Sequence, residues 1–278
     1  MNVVFFGASQ YTIPLIEQLK KHFSLALVVT TEQASTQPLT AFCRKGHIPY
    51  LAIKQFNNET IEEIKKTNTP LAVLAYFGLI LPQNLLGIFP KGIINIHPSL
   101  LPKYRGATPV QTAIVNGDTK TGVTIIKLDE QVDHGPILAQ EEVTIDSSDT
   151  AHTLHQKLFT LGASLCSDVL IRYYKGAITP IPQDDAQATF TTKLTRASGY
   201  IDLSSLEIEN LKLEIARKIR AYYPWPGTWT KLVLNGKERI VKLLPGNMIQ
   251  VEGKKPMTYK NFFNGYPAAE KQLLALLH

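Results

Sequence analysis

The chain has 278 residues, 44% hydrophobic and 19% charged, enough for one large domain or two modest ones with true cores. No run approaches the ~18 apolar residues needed to span a bilayer, and the short apolar N-terminus, with no basic stretch before it, reads as a first buried strand rather than a signal peptide; a cytoplasmic protein is the expectation. The net charge is +6, but residues 1–190 carry 15 basic and 16 acidic side chains while residues 191–278 carry 14 and 7, so the excess lies in the C-terminal part.

In chain order, an apolar run at residues 3–6 ends at Gly7-Ala8-Ser9, and Ile13, Leu15, Ile16 and Leu19 follow at roughly helical spacing. Further apolar runs at 25–29, 51–53, 71–75 and 93–96 are separated by polar or helical stretches such as 59–66. Fully apolar strands alternating with helices predict an α/β domain: a Rossmann-like open, mostly parallel sheet with helices on both faces. Residues 122–128 and 136–143 read as later strands joined by a loop at 129–135. Ser148-Asp149 can cap a long helix with Leu154, Leu158, Leu161, Leu165 and Val169 on one face, closed by Gly176. The stretch 177–203, containing Pro180, Pro182, Asp184 and Asp185, reads as a linker between domains 1–176 and 204–278. After it, residues 206–221 form an amphipathic helix bearing Arg217, Lys218 and Arg220. Strand-like runs at 230–234 and 239–243 flank Asn235-Gly236, a hairpin signal, so a small C-terminal β-barrel or sheet, trimmed and OB-like, is expected. Cys43 and Cys166 are far apart and lack metal-ligand spacing; they read as reduced structural thiols, and no metal is expected.

Gly7-Ala8-Ser9 invites a nucleotide-binding reading, but the full G-x-G-x-x-G pattern is missing, so a turn at the carboxyl end of the first strand is preferred. The run from Asn95 to Gly106 carries more chemistry. In an extended strand Asn95 and His97 point to the same face, and Pro98 ends the regular pairing. An amide donor beside an imidazole suits acyl transfer, in which negative charge grows on oxygen while a proton leaves nitrogen. A donor fixed near that oxygen is worth several kcal/mol, roughly 10²–10³ in rate, and a positioned His moves protons near neutral pH. Asp133, in the loop at 129–135, can orient the imidazole or accept the amine's proton through water. No serine or cysteine stands out as a covalent nucleophile, which favours direct transfer. By themselves these residues are weak signals: Asn-x-His is common, and an isolated loop Asp is most often a turn residue.

The segment 95–106, continued by Ala107-Thr108-Pro109-Val110-Gln111, Asn116-Gly117-Asp118, Thr121-Gly122-Val123-Thr124-Ile125 and Asp133-His134-Gly135-Pro136-Ile137-Leu138, resembles the signature of the folate-dependent formyltransferases in order and separation. The resemblance implies that Asn95, His97 and Asp133 are the catalytic residues and that 10-formyltetrahydrofolate is the formyl donor. Three more segments resemble the tRNA-directed branch of that family: Lys193-Leu194-Thr195 with Gly199-Tyr200-Ile201-Asp202, the stretch 219–230 around Pro224-Trp225-Pro226-Gly227, and Glu252-Gly253-Lys254-Lys255-Pro256-Met257 with Gly265-Tyr266-Pro267. These imply initiator methionyl-tRNA as acceptor, and the basic C-terminal part suits such a partner.

By the same resemblance, the folate pocket falls on Phe77, Leu79, Ile80 and Leu81 and on Ser99, Leu100, Leu101 and Pro102; a flat heterocycle wants apolar walls and backbone hydrogen bonds. Plain core packing is the competing reading for part of 79–81. Lys103 and Arg105 are expected at the phosphates of the acceptor end, and Arg217, Arg220, Lys254 and Lys255 as further tRNA contacts. Trp225 and Trp229 are expected in the core of the second domain, and the protein is expected to be a monomer. The chain departs from the family's tRNA-directed members in three ways, the first being Gln131 and His134 in the Asp133 loop, where Gly and Thr are more usual. The stretch 31–41 lacks their long basic insertion and holds only Glu32 among charged residues, and the C-terminal domain is short. Two alternatives compete: an enzyme acting on a nucleotide-linked amino sugar, which the segments at 224–229 and 254–257 disfavour, and a tRNA-binding protein that has lost catalysis, which the intact trio disfavours.

Overall fold

The computed structural model describes residues 1–203, 208–269 and 273. The N-terminal apolar runs are strands: β1 (Asn2–Gly7), β2 (Ser24–Thr31), β3 (Tyr50–Ile53), β4 (Leu71–Ala75), β5 (Ile93–His97), β6 (Lys120–Lys127) and β7 (Ile137–Thr144). They build one seven-stranded sheet in the order β3-β2-β1-β4-β5-β6-β7. The pairs from β3 to β5 are parallel, whereas β5–β6 and β6–β7 are antiparallel. The chain steps outward from β1 to β3 and then returns to place β4 on the other side of β1. That reversal is a topological switch point, where open α/β sheets bind ligands beyond the strands' carboxyl ends.

Helices α1 (Ile13–His22), α2 (Gln37–Lys45), α3 (Asn58–Lys66), α4 (Gln83–Leu86), α5 (Pro109–Asn116) and α6 (Ala151–Tyr174) connect or cover these strands. Val4, Phe6, Val29, Ile53, Ala72 and Ile93 pack with Ile64 of α3, Leu85 of α4 and Phe89 on one face of the sheet. Residues alternate across a strand, so Ile96 points to the other face. There a Cβ on Gly162 of α6 would lie 2.8 Å from Ile96 Cγ2, so the helix approaches the sheet closely. The buried stripe of α6 is rotated from the expected one: Leu154, Leu158 and Val169 are buried as anticipated, but Phe159, Ala163 and Cys166 join them while Leu161 and Leu165 are only half-buried. The start of α6 also differs. Thr150 and Thr153 exchange backbone-to-side-chain bonds there, while Asp149 turns back to accept from the Asp146 amide. Burial pushes the thiols of Cys43 and Cys166 up to about 11 and about 12, so both stay protonated and inert.

The chain divides into two compact units, residues 1–107, 120–144 and 155–191 in the first and residues 108–119, 145–154 and 192–278 in the second. The second holds α7 (Ile208–Ala221), β8 (Thr228–Leu234), β9 (Lys237–Leu244), β10 (Met248–Val251), β11 (Met257–Thr258) and α8 (Tyr259–Gly265). The expected helix from residue 206 begins here at Ile208; Leu206 and Glu207 lie outside the described residues. The expected small β domain is a four-stranded antiparallel sheet in the order β11-β10-β9-β8. Asn235 and Gly236 both have positive φ (51° and 76°), the conformation a two-residue hairpin needs. Leu232, Leu234, Val241, Leu243, Ile249 and Val251 from three strands pack on Ile215 and Ile219 of α7 and Phe262 of α8.

The tryptophans are not in that core. Period-two alternation buries Thr228, Thr230, Leu232 and Leu234 and turns Trp229 to the outer face of β8, where its ring lies 4.8 Å from Tyr200 and its Nε1 donates to the Arg196 carbonyl. Trp225, in the turn before β8, is 57% exposed. Among the described residues no helix is long and apolar enough to cross a membrane.

Candidate active site

Asn95 and His97 lie on β5, two residues apart, so both side chains leave the sheet on one face at the strand's carboxyl end. They are 5% and 4% exposed. Buried polar groups need partners, and theirs specify the site. Asn95 Nδ2 donates to Asp133 Oδ1 at 3.0 Å. The His97 Nε2 contact at 3.0 Å is to the Tyr104 carbonyl oxygen, which can only accept, so Nε2 carries a proton. His97 Nδ1 is then the atom where the ring gains or loses a proton, and it faces Asp133 Oδ1 at 3.5 Å. That exceeds hydrogen-bond distance, so Nδ1 is close to the carboxylate without being locked to it.

Asp133 sits in the turn between β6 and β7 with φ 49°, a left-handed conformation that Asp tolerates better than most residues. Its other oxygen, Oδ2, accepts from the Gly106 amide at 2.8 Å. Gly135 nearby has no room for a side chain, since a Cβ there would lie 1.8 Å from the Lys127 carbonyl oxygen. The carboxylate is thus held from both sides, by an amide side chain and by a backbone N–H, with His97 beside it.

The residues expected at the folate fall into two groups. Phe77, Leu79 and Leu81, just beyond β4, are half-buried against the apolar cluster on the sheet face shared with Asn95, while Ile80 is 88% exposed. Ser99 and Leu101 are 1% and 2% exposed, and their polar groups are spent on the loop itself and on β6 and β7. Ser99 Oγ donates to the Lys103 carbonyl, Thr124 Oγ1 donates to the Ser99 carbonyl, and the Leu101 amide donates to Thr124 Oγ1. Gln140 Nε2 donates to the Leu101 carbonyl. Leu100 and Pro102 are half-buried, with Leu100 packed over Gly122. Ser99 and Leu101 shape the loop; Phe77, Leu79, Leu81 and Leu100 offer apolar surface.

Among the expected tRNA contacts, Lys103 is exposed, with Nζ 4.6 Å from the Tyr104 ring centroid. Arg105 differs sharply. Its side chain is 4% exposed and donates to Gln183 Oε1 from Nε and Nη2 and to Asp185 Oδ1 from Nη2, so a phosphate contact would require it to leave these partners. In the second unit Arg220 donates to the Asp149 carbonyl at 2.7 Å, and burial followed by nearby Arg217 depresses its pKa. Arg217 is half-buried and packs its guanidinium over Gly117, which has φ 74°. Lys254 is exposed and donates to the Tyr266 hydroxyl at 2.7 Å, and Lys255 is exposed.

Several groups at the site carry no mark in the sequence: the Tyr104 carbonyl, the Gly106 amide and Gln183. The first two are backbone atoms, invisible to any reading of side-chain types. Gln183 lies in the stretch read as a linker, with no local pattern to mark it. An aromatic cluster at the switch point is equally unannounced. Tyr11, after β1, stacks on His155 at 5.0 Å, and Tyr76, after β4, lies edge-on to His155 at 5.2 Å. Burial, then Tyr76, pushes the Tyr11 hydroxyl up to about 12, so it is neutral.

Comparison with known proteins adds to this geometry. A family profile described as formyl transferase matches residues 1–170. The chain is 39% identical to a methionyl-tRNA formyltransferase of Roseiflexus sp., over 83% of this chain and 73% of that protein. It is 31% identical to a methionyl-tRNA formyltransferase of Thermodesulfovibrio yellowstonii, over 95% and 96%. Among solved structures, an N-formyltransferase from Helicobacter canadensis in complex with folinic acid and dTDP-3-aminofucose superposes with a TM-score of 0.63 at 18% identity, covering 90% of this chain and 94% of that one.

Proposed function

The chain belongs to the formyl transferase family, and on that footing we propose that it moves a formyl group from 10-formyltetrahydrofolate to the amino group of methionine on initiator methionyl-tRNA, the reaction that supplies formylated starter for translation. The likeness to two methionyl-tRNA formyltransferases over most of their length supports the acceptor. The single observation that carries the chemistry is the convergence of Asn95 Nδ2 and His97 Nδ1 on one oxygen of Asp133.

The roles follow from the bonds already made. As the amine adds to the formyl carbon, charge grows on the formyl oxygen. Asn95 has two amide hydrogens and gives one to Asp133, keeping the other for that oxygen. His97 has committed Nε2 to the Tyr104 carbonyl, so Nδ1 supplies the second donor when protonated. Asp133, its other oxygen fixed by Gly106, steadies that imidazolium and takes up the amine's proton through water. Collapse of the tetrahedral adduct then breaks the bond between the formyl carbon and the folate nitrogen, which leaves as an amine with the proton that Asp133 took up, so no covalent acyl-enzyme is needed. The half-buried apolar side chains of Phe77, Leu79 and Leu81, the exposed Ile80, and Leu100 and Pro102 offer the apolar wall that a pterin requires, with Ser99 and Leu101 holding the shape of the loop.

In this reading residues 1–176 form the catalytic domain, 177–203 the connection and 204–278 the tRNA-facing domain. Lys103, Arg217, Arg220, Lys254 and Lys255 contribute positive charge toward the nucleic acid. In the same reading the enzyme acts in the cytoplasm as a monomer. The test is a formylation assay with 10-formyltetrahydrofolate that compares charged initiator tRNA, charged elongator tRNA and a panel of nucleotide-linked amino sugars. Formyl transfer to initiator methionyl-tRNA alone is expected; transfer to an amino sugar with none to tRNA overturns the acceptor.

A further inference from the structure

Gln183 makes four hydrogen bonds, and their pattern is unusual in its consistency. Its Nε2 donates both hydrogens, one to the Asp133 carbonyl and one to the Gly135 carbonyl, each at 2.8 Å. Its Oε1 accepts from Arg105 Nε at 3.0 Å and from Arg105 Nη2 at 2.9 Å. The amide has only one workable orientation. Turned over, its oxygen would face two carbonyls that cannot donate and its nitrogen a guanidinium that cannot accept. Arg105 is in turn held by Asp185 Oδ1 at 2.7 Å and is buried, so the clamp has a fixed base.

We propose that Gln183, set by Arg105, is a positioning residue for Asp133; the inference rests on the reading of Asp133 as a catalytic residue. The two carbonyls that Gln183 grips flank His134 and bracket the turn in which Asp133 takes its left-handed φ of 49°. Fixing them fixes the direction in which the carboxylate leaves the backbone, toward Asn95 Nδ2 and the Gly106 amide. The same chain segment steadies the opposite wall. The Tyr104 amide donates to Thr189 Oγ1, the Arg105 amide to the Thr189 carbonyl, and the Thr191 amide to the Arg105 carbonyl. Residues 104–106 so held present the Tyr104 carbonyl to His97 and the Gly106 amide to Asp133. Gln183 has none of the chemistry of the reaction and acts through the carboxylate that does.

The test pairs Gln183→Leu, which loses all four bonds, with Gln183→Glu, which keeps the acceptor for Arg105 but sets an oxygen against both carbonyls. Both variants are expected to lower kcat for formyl transfer about 10²-fold, the scale of a small misplacement of a reacting group. KM for the folate and for charged tRNA stays within about two-fold, because neither binds Gln183. A Gln183→Glu variant that recovers wild-type kcat overturns the proposal, since the tie to Arg105 would then suffice. A raised KM with unchanged kcat overturns it too. A second readout needs no turnover. The Gly106 amide, followed by NMR hydrogen exchange in the full chain, is expected to exchange at least about ten-fold faster in Gln183→Glu as its acceptor on Asp133 loosens. Unchanged protection there overturns the positioning role. If wild-type protein formylates no tRNA, the functional reading fails while the exchange measurement still decides this one.

Discussion

Arg105 and Lys255 bring the same charge into opposite circumstances. Arg105, in the first unit, is buried and donates to Gln183 and Asp185, inside a network that ends on Asp133. Lys255, like Lys237, Arg239 and Lys242, is exposed in the second unit, which carries most of the chain's basic excess. Removing a partner from a buried group such as the Arg105 guanidinium is costly, because little water reaches it to take the partner's place. Exposed cations act singly, each adding a modest, screened attraction for an anion. One unit is therefore built for geometry and the other for charge, and single substitutions should separate the two by size and by salt dependence.

The largest effect is expected at the carboxylate and its neighbours. His97→Ala and Asp133→Ala should each lower kcat by about 10²–10³, or about 3–4 kcal/mol in the barrier, while leaving the affinity for charged tRNA nearly unchanged. Single-turnover formylation alongside a tRNA binding titration measures both. Near-wild-type turnover in either variant removes the trio from the mechanism and with it the contrast between the units.

In the second unit the response should be graded. Replacing Lys254 or Lys255 with Ala is expected to weaken tRNA binding a few-fold. Removing a cation that neutralises a phosphate should also make the slope of log affinity against log salt shallower by about 0.7–0.9. Single-turnover kcat at saturating tRNA should not change. Lys254 gives the sharper comparison, since its Nζ already donates to Tyr266 while Lys255 stands exposed beside it. A salt slope that stays put in both variants, with kcat falling instead, would place these residues at the chemistry rather than at the phosphates.

The same contrast decides how much the sequence can reveal. Parallel strands buried on both faces announce themselves as apolar runs, and the run at 71–75 is β4 with the same bounds. Asn95 and His97 are readable because strand alternation places side chains two apart on one face. What holds them is not readable. The Tyr104 carbonyl and the Gly106 amide belong to every residue's backbone, and Gln183 reaches the Asp133 carbonyl from 50 residues further along the chain. Arginine usually sits at the surface, which is why Arg105 reads as a phosphate ligand; only the fold shows that its buried side chain is taken up by the Gln183 amide and the exposed Asp185 carboxylate. The tryptophans depart the other way. The size of Trp229 suggests the core, but alternation along β8 gives the inward positions to Thr228, Thr230 and Leu232.

His134 lies between the two cases, in the turn that carries Asp133 yet partly open to water, and it supplies the smallest predicted effect. Its Nδ1 meets Asp129 Oδ2 at 2.6 Å and its Nε2 faces Asp185 Oδ2 at 3.3 Å. The bond to Asp129, with the charges of Asp129 and Asp185, raises its pKa above the usual 6.5. Asp185 moves the other way: its bond from Arg105, and then His134, hold its carboxyl below 3.8. A raised His contributes stability that is whole below its unfolded pKa and fades as pH climbs through the higher folded value. A depressed Asp contributes stability that is whole above its unfolded pKa and fades as pH drops through the lower folded value. The contact between them is complete from just above the ordinary Asp pKa to just below the ordinary His pKa, and it weakens first on the alkaline side. Thermal midpoints measured from pH 6 to 8.5 should therefore fall more steeply for the wild type than for His134→Gln, by about a degree, because solvent screens exposed pairs. Asp129→Asn should bring the NMR titration midpoint of His134 back toward 6.5, because it removes the first and largest cause of the shift. A midpoint that does not move in that variant would mean that the His134–Asp129 bond does not form in solution, and that the turn carrying Asp133 is held without it, through Gln183, Gly106 and Asn95.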